Sequence, residues 1–279
     1  MAQRTLYLDY GTGDKSIFDL LPFIKRVETF TPEAPVIERQ VTEELGGDGE
    51  VQTSPIIRYK ARNIKFKIFV EVGRPEQFPL LEHRIYQMFA RREPYYITDS
   101  YSPNKRFKVT GDNLETIEKE GVAFWKSIEI TLRNITGLAE SKHTTEEAYN
   151  LAGENWNLGM NIPAIDNIPY KFTTRDFNVY NGGDVRIFPS KHDYEVYMYL
   201  AGSNIKITNR TTGESLTIKK TLTSTQEVRV VGQYIVTNET TGIDFSGRFP
   251  SLAEGINSFV VENASSIDIR FVTRFYYHR

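Results

Sequence analysis

The chain has 279 residues and a formal net charge of -2, with 39% hydrophobic and 25% charged residues and no cysteine. This is an ordinary core-forming balance and argues against wholesale disorder. The missing cysteines exclude disulfides, thiolate metal sites and a cysteine nucleophile, and the near-neutral charge offers no global basic field to hold a nucleic acid backbone.

At roughly 100–200 residues per domain the length suggests two domains. Aromatic residues reach 13%, with 16 Tyr and 17 Phe, and these side chains suit pleated sheets. The chain opens on an alternating strand, Arg4 to Asp9, and a turn at Gly11 to Asp14. No apolar core of a signal peptide follows, and no apolar run approaches the roughly 18 residues of a membrane helix, so no membrane anchor is expected. The sequons at Asn134, Asn209, Asn238 and Asn263 are read as chance.

An extended, Pro-punctuated segment spans Glu28 to Pro55 and contains the turn Gly46-Gly47-Asp48-Gly49. The clearest strand is Ile57 to Val72, where Ile64, Phe66, Ile68, Val70 and Val72 alternate with mostly polar residues at period two. The clearest helix spans about Pro75 to Arg92. Phe78, Leu81, Ile85, Met88 and Phe89 form one apolar stripe, Pro75 suits the first position, and Pro94 ends it. Strands resume at Tyr95 to Thr98, Arg106 to Thr110 and Phe124 to Arg133. The polar stretch Thr136 to Glu154 reads as a linker.

The second half reads as strands throughout: Phe177–Tyr180, Val185–Pro189, Tyr194–Leu200, Asn204–Asn209, Ser215–Lys219, Glu227–Val231, Tyr234–Thr237, Ser258–Glu262 and Ile267–Tyr277. Turns are expected at Asn181-Gly182-Gly183, Ala201-Gly202-Ser203, Thr212-Gly213 and Glu254-Gly255. Many short strands without helical crossovers predict an antiparallel sandwich or barrel.

Candidate chemistry is sparse. No two of His83, His143, His192 and His278 lie at zinc-ligand spacing. His83 is read as a solvated helix residue, and His192 in its polar turn lacks triad partners. Gly11-Thr12-Gly13-Asp14-Lys15-Ser16 departs from a phosphate loop because Asp14 separates Gly13 from Lys15; a surface turn is the expectation. Paired carboxylates of a glycosidase are not readable from spacing. Tyr194, Tyr197 and Tyr199 would suit sugar stacking or plain sheet packing.

One charge pattern stands out. From Glu28 to Glu50 there are seven acids (Glu28, Glu33, Glu38, Glu43, Glu44, Asp48, Glu50) against Arg39. From Arg58 to Arg74 there are six bases (Arg58, Lys60, Arg62, Lys65, Lys67, Arg74) against Glu71. Two readings stand: two solvated faces or an intramolecular hairpin with paired charges, or complementary edges of identical subunits closing head-to-tail into a ring.

Several stretches together carry a family resemblance. The first half has a Gly-Gly-Asp-Gly turn, then Tyr59-Lys60-Ala61-Arg62-Asn63-Ile64 entering the long strand, the helix, and Pro94-Tyr95-Tyr96-Ile97. Gly47 stands where the family's turn carries a basic residue. The second half has Asn178-Val179-Tyr180-Asn181-Gly182-Gly183-Asp184 with Pro189, then Asn209 to Gly213, Leu252-Ala253-Glu254-Gly255-Ile256-Asn257, and a closing Arg274-Phe275-Tyr276-Tyr277. In order and spacing the chain resembles the distal tail proteins of long-tailed, non-contractile siphophages.

The resemblance implies a mainly β (β-rich α+β) chain. It would comprise an N-terminal belt domain over 1–140 with sheets or a split barrel and one long helix, a linker over 141–165, and a C-terminal galectin-like antiparallel sandwich over 166–279. It further implies a structural virion protein, not an enzyme and without cofactor. Six belts would ring a DNA channel at the tail tip, in one ring or two stacked rings, with the acidic segment Glu28 to Glu50 as the candidate lumen or tube-facing surface, since basic walls would hold the phosphates. Expected partners are the tail tube protein and the tail-associated or fibre protein, with the tape measure and receptor-binding proteins as further neighbours; DNA is met only in transit. Assembly would occur in the bacterial host cytoplasm. The competing reading is a carbohydrate-binding β-sandwich module of a secreted or virion-associated protein.

Overall fold

A computed structural model describes residues 3–43, 50–53, 57–112, 114–117, 124–147, 155–157, 159–163, 168–238 and 243–279. The chain divides into two units, Met1–Ala139 with His278–Arg279, and Glu140–Tyr277. Among the described residues the structure is mainly β, with one substantial helix, and every strand pair whose register is described is antiparallel.

The first unit holds β1 (Leu6–Asp9), β2 (Asp14–Ser16), a helical turn α1 (Ile17–Leu20), β3 (Ile24–Pro32), β4 (Val36–Glu38), β5 (Val41–Glu43), β6 (Glu50–Gln52), β7 (Arg58–Lys60), β8 (Arg62–Glu71), α2 (Phe78–Phe89), β9 (Tyr95–Asp99), β10 (Lys105–Thr110) and β11 (Trp125–Asn134). Its sheet runs β2-β1-β9-β10-β11-β8-β3. Alternation works as read: Ile64, Phe66, Ile68 and Val70 of β8 are all at most 1% exposed, while Lys65 and Lys67 face water. The buried helix stripe is Phe78, Leu81, Ile85, Met88 and Phe89, and the Phe89 ring meets Phe66 edge-on at 5.5 Å. The helix starts later than its apolar spacing suggests. Pro75–Gln77 is a 3-10 turn, in which Gln77 Oε1 accepts the Gly73 N–H at 2.9 Å and so takes up a donor no helix carbonyl reaches.

The second unit includes β12 (Ala139–Ser141), β13 (Lys171–Phe172), β14 (Asp176–Asn181), β15 (Tyr194–Asn209), β16 (Glu214–Ile218), β17 (Glu227–Val231), β18 (Tyr234–Thr237), β19 (Phe245–Gly247), β20 (Gly255–Thr273) and β21 (Tyr276–Tyr277). One expected turn, Ala201-Gly202-Ser203, and one expected strand break, between Glu262 and Ile267, are absent. Tyr194–Leu200 and Asn204–Asn209 are halves of β15, and β20 joins the expected strand Ser258–Glu262 to most of Ile267–Tyr277. Their first and last halves belong to different layers. β17 pairs with Glu195–Tyr199 of β15 and β16 with Ile205–Asn209, while β13 pairs with Ile269 and Arg270 of β20 and β14 with Gly255–Val260. The bend falls where Gly202, Asn204 and Asn263 take φ of 148°, 51° and 62°, conformations that Gly and Asn tolerate. The register shifts there, so the Gly-Ser pair marks a bulge and not a hairpin. Val185–Pro189 forms only an isolated bridge, Ile187 to Leu252. The core between the layers is aromatic: Phe177, Phe259 and Phe271 lie within 6.1 Å of one another, centroid to centroid. Within the stretch read as linker, Ser141, Thr145, Trp156 and Met160 are buried, and Thr145 Oγ1 donates to the Phe271 carbonyl at 2.8 Å.

Candidate interaction surfaces

The acid-rich and base-rich segments are the two arms of one ribbon. β3 and β8 pair inside the sheet as far as Pro32↔Ile64. The same register then continues outside it as Val36↔Lys60, Ile37↔Tyr59 and Glu38↔Arg58, followed by Val41↔Gln52, Thr42↔Val51 and Glu43↔Glu50. Among the described residues these strands form two-stranded pairs with no third strand alongside. Val36, Ile37, Val41 and Val51 are 43–46% exposed.

The structure distributes the predicted site residues unevenly. Glu38 and Lys60 form an ion pair across the ribbon at 2.8 Å, and Arg58 and Glu50 are exposed on it. Glu28 pairs with Arg26 at 2.8 Å. The Arg26 hydrogen bond, helped by one from Ser127, holds the Glu28 carboxyl below the usual range. Glu33 is held at the ribbon's base, accepting the Asn63 N–H at 2.9 Å. Lys65 is exposed, and Lys67 pairs with Glu129 at 3.4 Å. Arg62 is 3% exposed, with its guanidinium donating to the carbonyls of Glu33 and His278. It pins the ribbon's root and presents no charge outward, contrary to its expected place in a surface strip. Glu43 belongs to β5. Glu44, Asp48 and the Gly46–Gly49 turn lie outside the described residues.

Sequence reasoning missed an aromatic stack on the open face of the first sheet. Trp125 is 62% exposed and stacks on Phe69 at 5.9 Å, with the Arg26 guanidinium 4.4 Å from the Phe69 centroid. Its signal lay in the alternation of β8, where Phe69 is the aromatic among the outward lysines.

The second unit offers two clefts. A cleft of about 330 Å³ is lined by Phe188, Val230, Ile235, Phe245, Arg248 and Glu214, among others. Burial would raise the Glu214 carboxyl, but donation from the Ser251 hydroxyl and N–H and from Arg186 outweighs it and holds the group low. On the opposite-phase residues of β15 a shallower groove includes Tyr197 and Tyr199. Tyr194 does not join them: it lies three residues from Tyr197, hence on the buried face, 2% exposed, with its hydroxyl donating to the Pro250 carbonyl. Cross-strand neighbours Arg229 and Arg270 place guanidiniums 4.8 and 4.7 Å from the Tyr197 centroid.

The remaining motifs are occupied locally. Asp9 Oδ1 accepts the N–H groups of Gly11 and Gly13 at 2.8 and 2.9 Å, filling amides that a phosphate would need. His192 Nδ1 accepts the Phe188 N–H at 2.9 Å. His83 is exposed on the helix. Among the described residues no group of three or more His, Asp or Glu is placed to hold a metal ion, and no helix is long and apolar enough to cross a membrane.

These features define a class of chain: one antiparallel sheet backed by a single amphipathic helix and extended by a free ribbon, joined to an antiparallel sandwich. The crystal structure of SPP1 Dit (gp 19.1), described as a paradigm of the hub adsorption apparatus of phages infecting Gram-positive bacteria, has this fold. It is similar at a TM-score of 0.60 and 14% identity, over 98% of this chain and 100% of that one. Chains of the phage p2 baseplate in its activated conformation, with Sr and with Ca, are similar at 12% identity and TM-scores of 0.43 and 0.41. No family model and no curated protein sequence matches.

Proposed function

We propose that the chain is a structural hub protein at the distal end of a long, non-contractile phage tail, without catalytic activity. The observation that carries this reading is the likeness of fold to SPP1 Dit along essentially the whole of both chains. A module built only to bind sugar would need the sandwich alone, whereas here the sheet, helix and ribbon of the first unit are matched as well. In this role six first units close into a ring around a channel, alone or as two stacked rings. One side meets the tail tube protein and the other a tail-associated or fibre protein, with DNA in transit. The ribbon's acids favour an unobstructed passage, because basic walls would retain phosphates.

The ribbon supports a ring for a physical reason. An isolated two-stranded ribbon is marginal in water, and solvent-exposed aliphatics on it gain by being covered. Light scattering after size exclusion, with negative-stain imaging, is expected to give annular particles of six subunits or a multiple. A monomer at all concentrations, alone and with the tail tube protein, contradicts the hub role. The sugar-binding alternative predicts retention on glycan arrays as a monomer. The guanidiniums beside Tyr197 argue against it, since they occupy ground a stacked sugar would need.

A further inference from the structure

We infer that His278 and Arg279 form a strap that locks the inner half of the ribbon, β4 and β7, to the first unit and can release it without unfolding the sheet. The inference concerns the first unit alone and does not rest on the proposed role.

The course of the chain sets up the strap. Every residue from Glu140 to Tyr277 belongs to the second unit, yet His278 and Arg279 belong to the first. They follow β21 and have no regular structure of their own, so they are held by individual contacts. The Tyr59 hydroxyl of β7 lies 3.0 Å from His278 Nε2, and the two rings meet at 5.5 Å. Lys105 Nζ donates to the Arg279 carbonyl at 2.7 Å. Arg62 donates from one terminal guanidinium nitrogen to the Glu33 carbonyl and from the other to the His278 carbonyl. The ribbon's arms join the sheet at Pro32 and Arg62, so one buried guanidinium ties the root of both arms to the strap.

The ribbon has little else to hold it. Its inner half pairs over three residues only and is a two-stranded sheet separate from β5–β6, and such a ribbon is marginal in water. Val36, Ile37, Glu38, Arg58 and Lys60 are all exposed. Tyr59 is the one residue of β4 and β7 that is half-buried, and it is the one that meets the strap.

Arg62 makes the lock cooperative. Burial disfavours its charged form, against the attraction of the Glu33 carboxylate, and its Nε has no hydrogen-bond partner among the described residues. Without the His278 carbonyl the guanidinium keeps one backbone acceptor in a site that is 3% exposed. A buried charge short of partners is strongly unfavourable, so it turns to water and the root loosens with it. A released strap remains on the same chain, and an intramolecular partner re-docks at high effective concentration.

Hydrogen exchange read by mass spectrometry on the full chain tests this, with residues 34–40 and 57–62 reporting on the ribbon and 64–70 and 125–134 on the sheet. Deleting His278 and Arg279 should speed exchange in the ribbon at least about tenfold and leave the sheet unchanged. Tyr59→Phe and His278→Ala leave the carbonyl to Arg62 and should each speed it only about fivefold, the worth of one hydrogen bond. If the truncated chain does not fold, Tyr59→Phe combined with Lys105→Ala weakens the strap while keeping every backbone atom, and the ribbon should again exchange faster. An unchanged ribbon in these variants overturns the inference. So does a wild-type ribbon that already exchanges at the rate of unfolded chain. Faster exchange in the sheet as well makes the dipeptide part of the sheet's own stability and overturns the release.

Discussion

At the scale of single residues, His192 shows how a position that resembles chemistry serves structure. Its ring stacks on Tyr276 at 4.3 Å and its Nδ1 is committed to a backbone N–H. Burial, assisted by nearby Lys191, lowers its pKa from 6.5 to about 4. The folded state therefore disfavours the proton that the unfolded state accepts. The stabilising contribution is complete above pH 6.5 and is lost as pH falls towards 4, roughly 3 kcal/mol over that window. Thermal unfolding followed from pH 7 to pH 4 should show a decline that is shallower in His192→Gln, whose side chain has no proton to bind; equal slopes would remove His192 as the cause. Glu214 acts in the same direction at lower pH, since its depressed carboxyl loses its stabilising role as pH falls through the folded value. Arg62 makes the converse point. Its charge reads as surface in a basic run, yet the strand's period of two turns it inward with the apolar residues.

At the scale of elements, period and stripe were legible wherever one face is buried: β8 and α2 follow directly from Ile64 to Val70 and from Phe78 to Phe89. The pairing of the acidic and basic segments was legible only as one of two readings, because charge runs carry no register. The strand breaks in the second half were misread for a physical reason. Ala201-Gly202-Ser203 has turn composition, but the space around it decides its geometry. A Cβ on Gly202 would come within 2.2 Å of the Asn263 carbonyl oxygen, so the two long strands cross at closest approach there. Gly202→Ala combines an unfavourable φ with a backbone clash and should cost on the order of 3 kcal/mol, seen as a melting temperature lower by roughly 10 °C. An unchanged melting temperature would mean the bulge shifts freely.

At the scale of the whole molecule, the β-rich class was legible from the aromatic-rich composition and the many short strands of the second half. The aromatic stack was not, because Trp125 and Phe69 are far apart in sequence and meet only through the β8–β11 register. The annular particles expected of the proposed role are a test at this scale, since they are read as particle size and not as local stability. They separate a chain that assembles through its first unit from one that acts through its sandwich.

The bent strands β15 and β20 have one more effect. Because each runs through both layers, the sandwich has no layer that is complete without the other. Contacts between Tyr194–Asn209 and Phe259–Thr273 span some fifty to eighty positions of chain, so the central pairing must form over long loops before either layer gains its partners, which makes folding slow. The second unit should therefore melt in a single cooperative step, without a half-folded layer as intermediate. The unit then has no partly open state to populate between intact and unfolded.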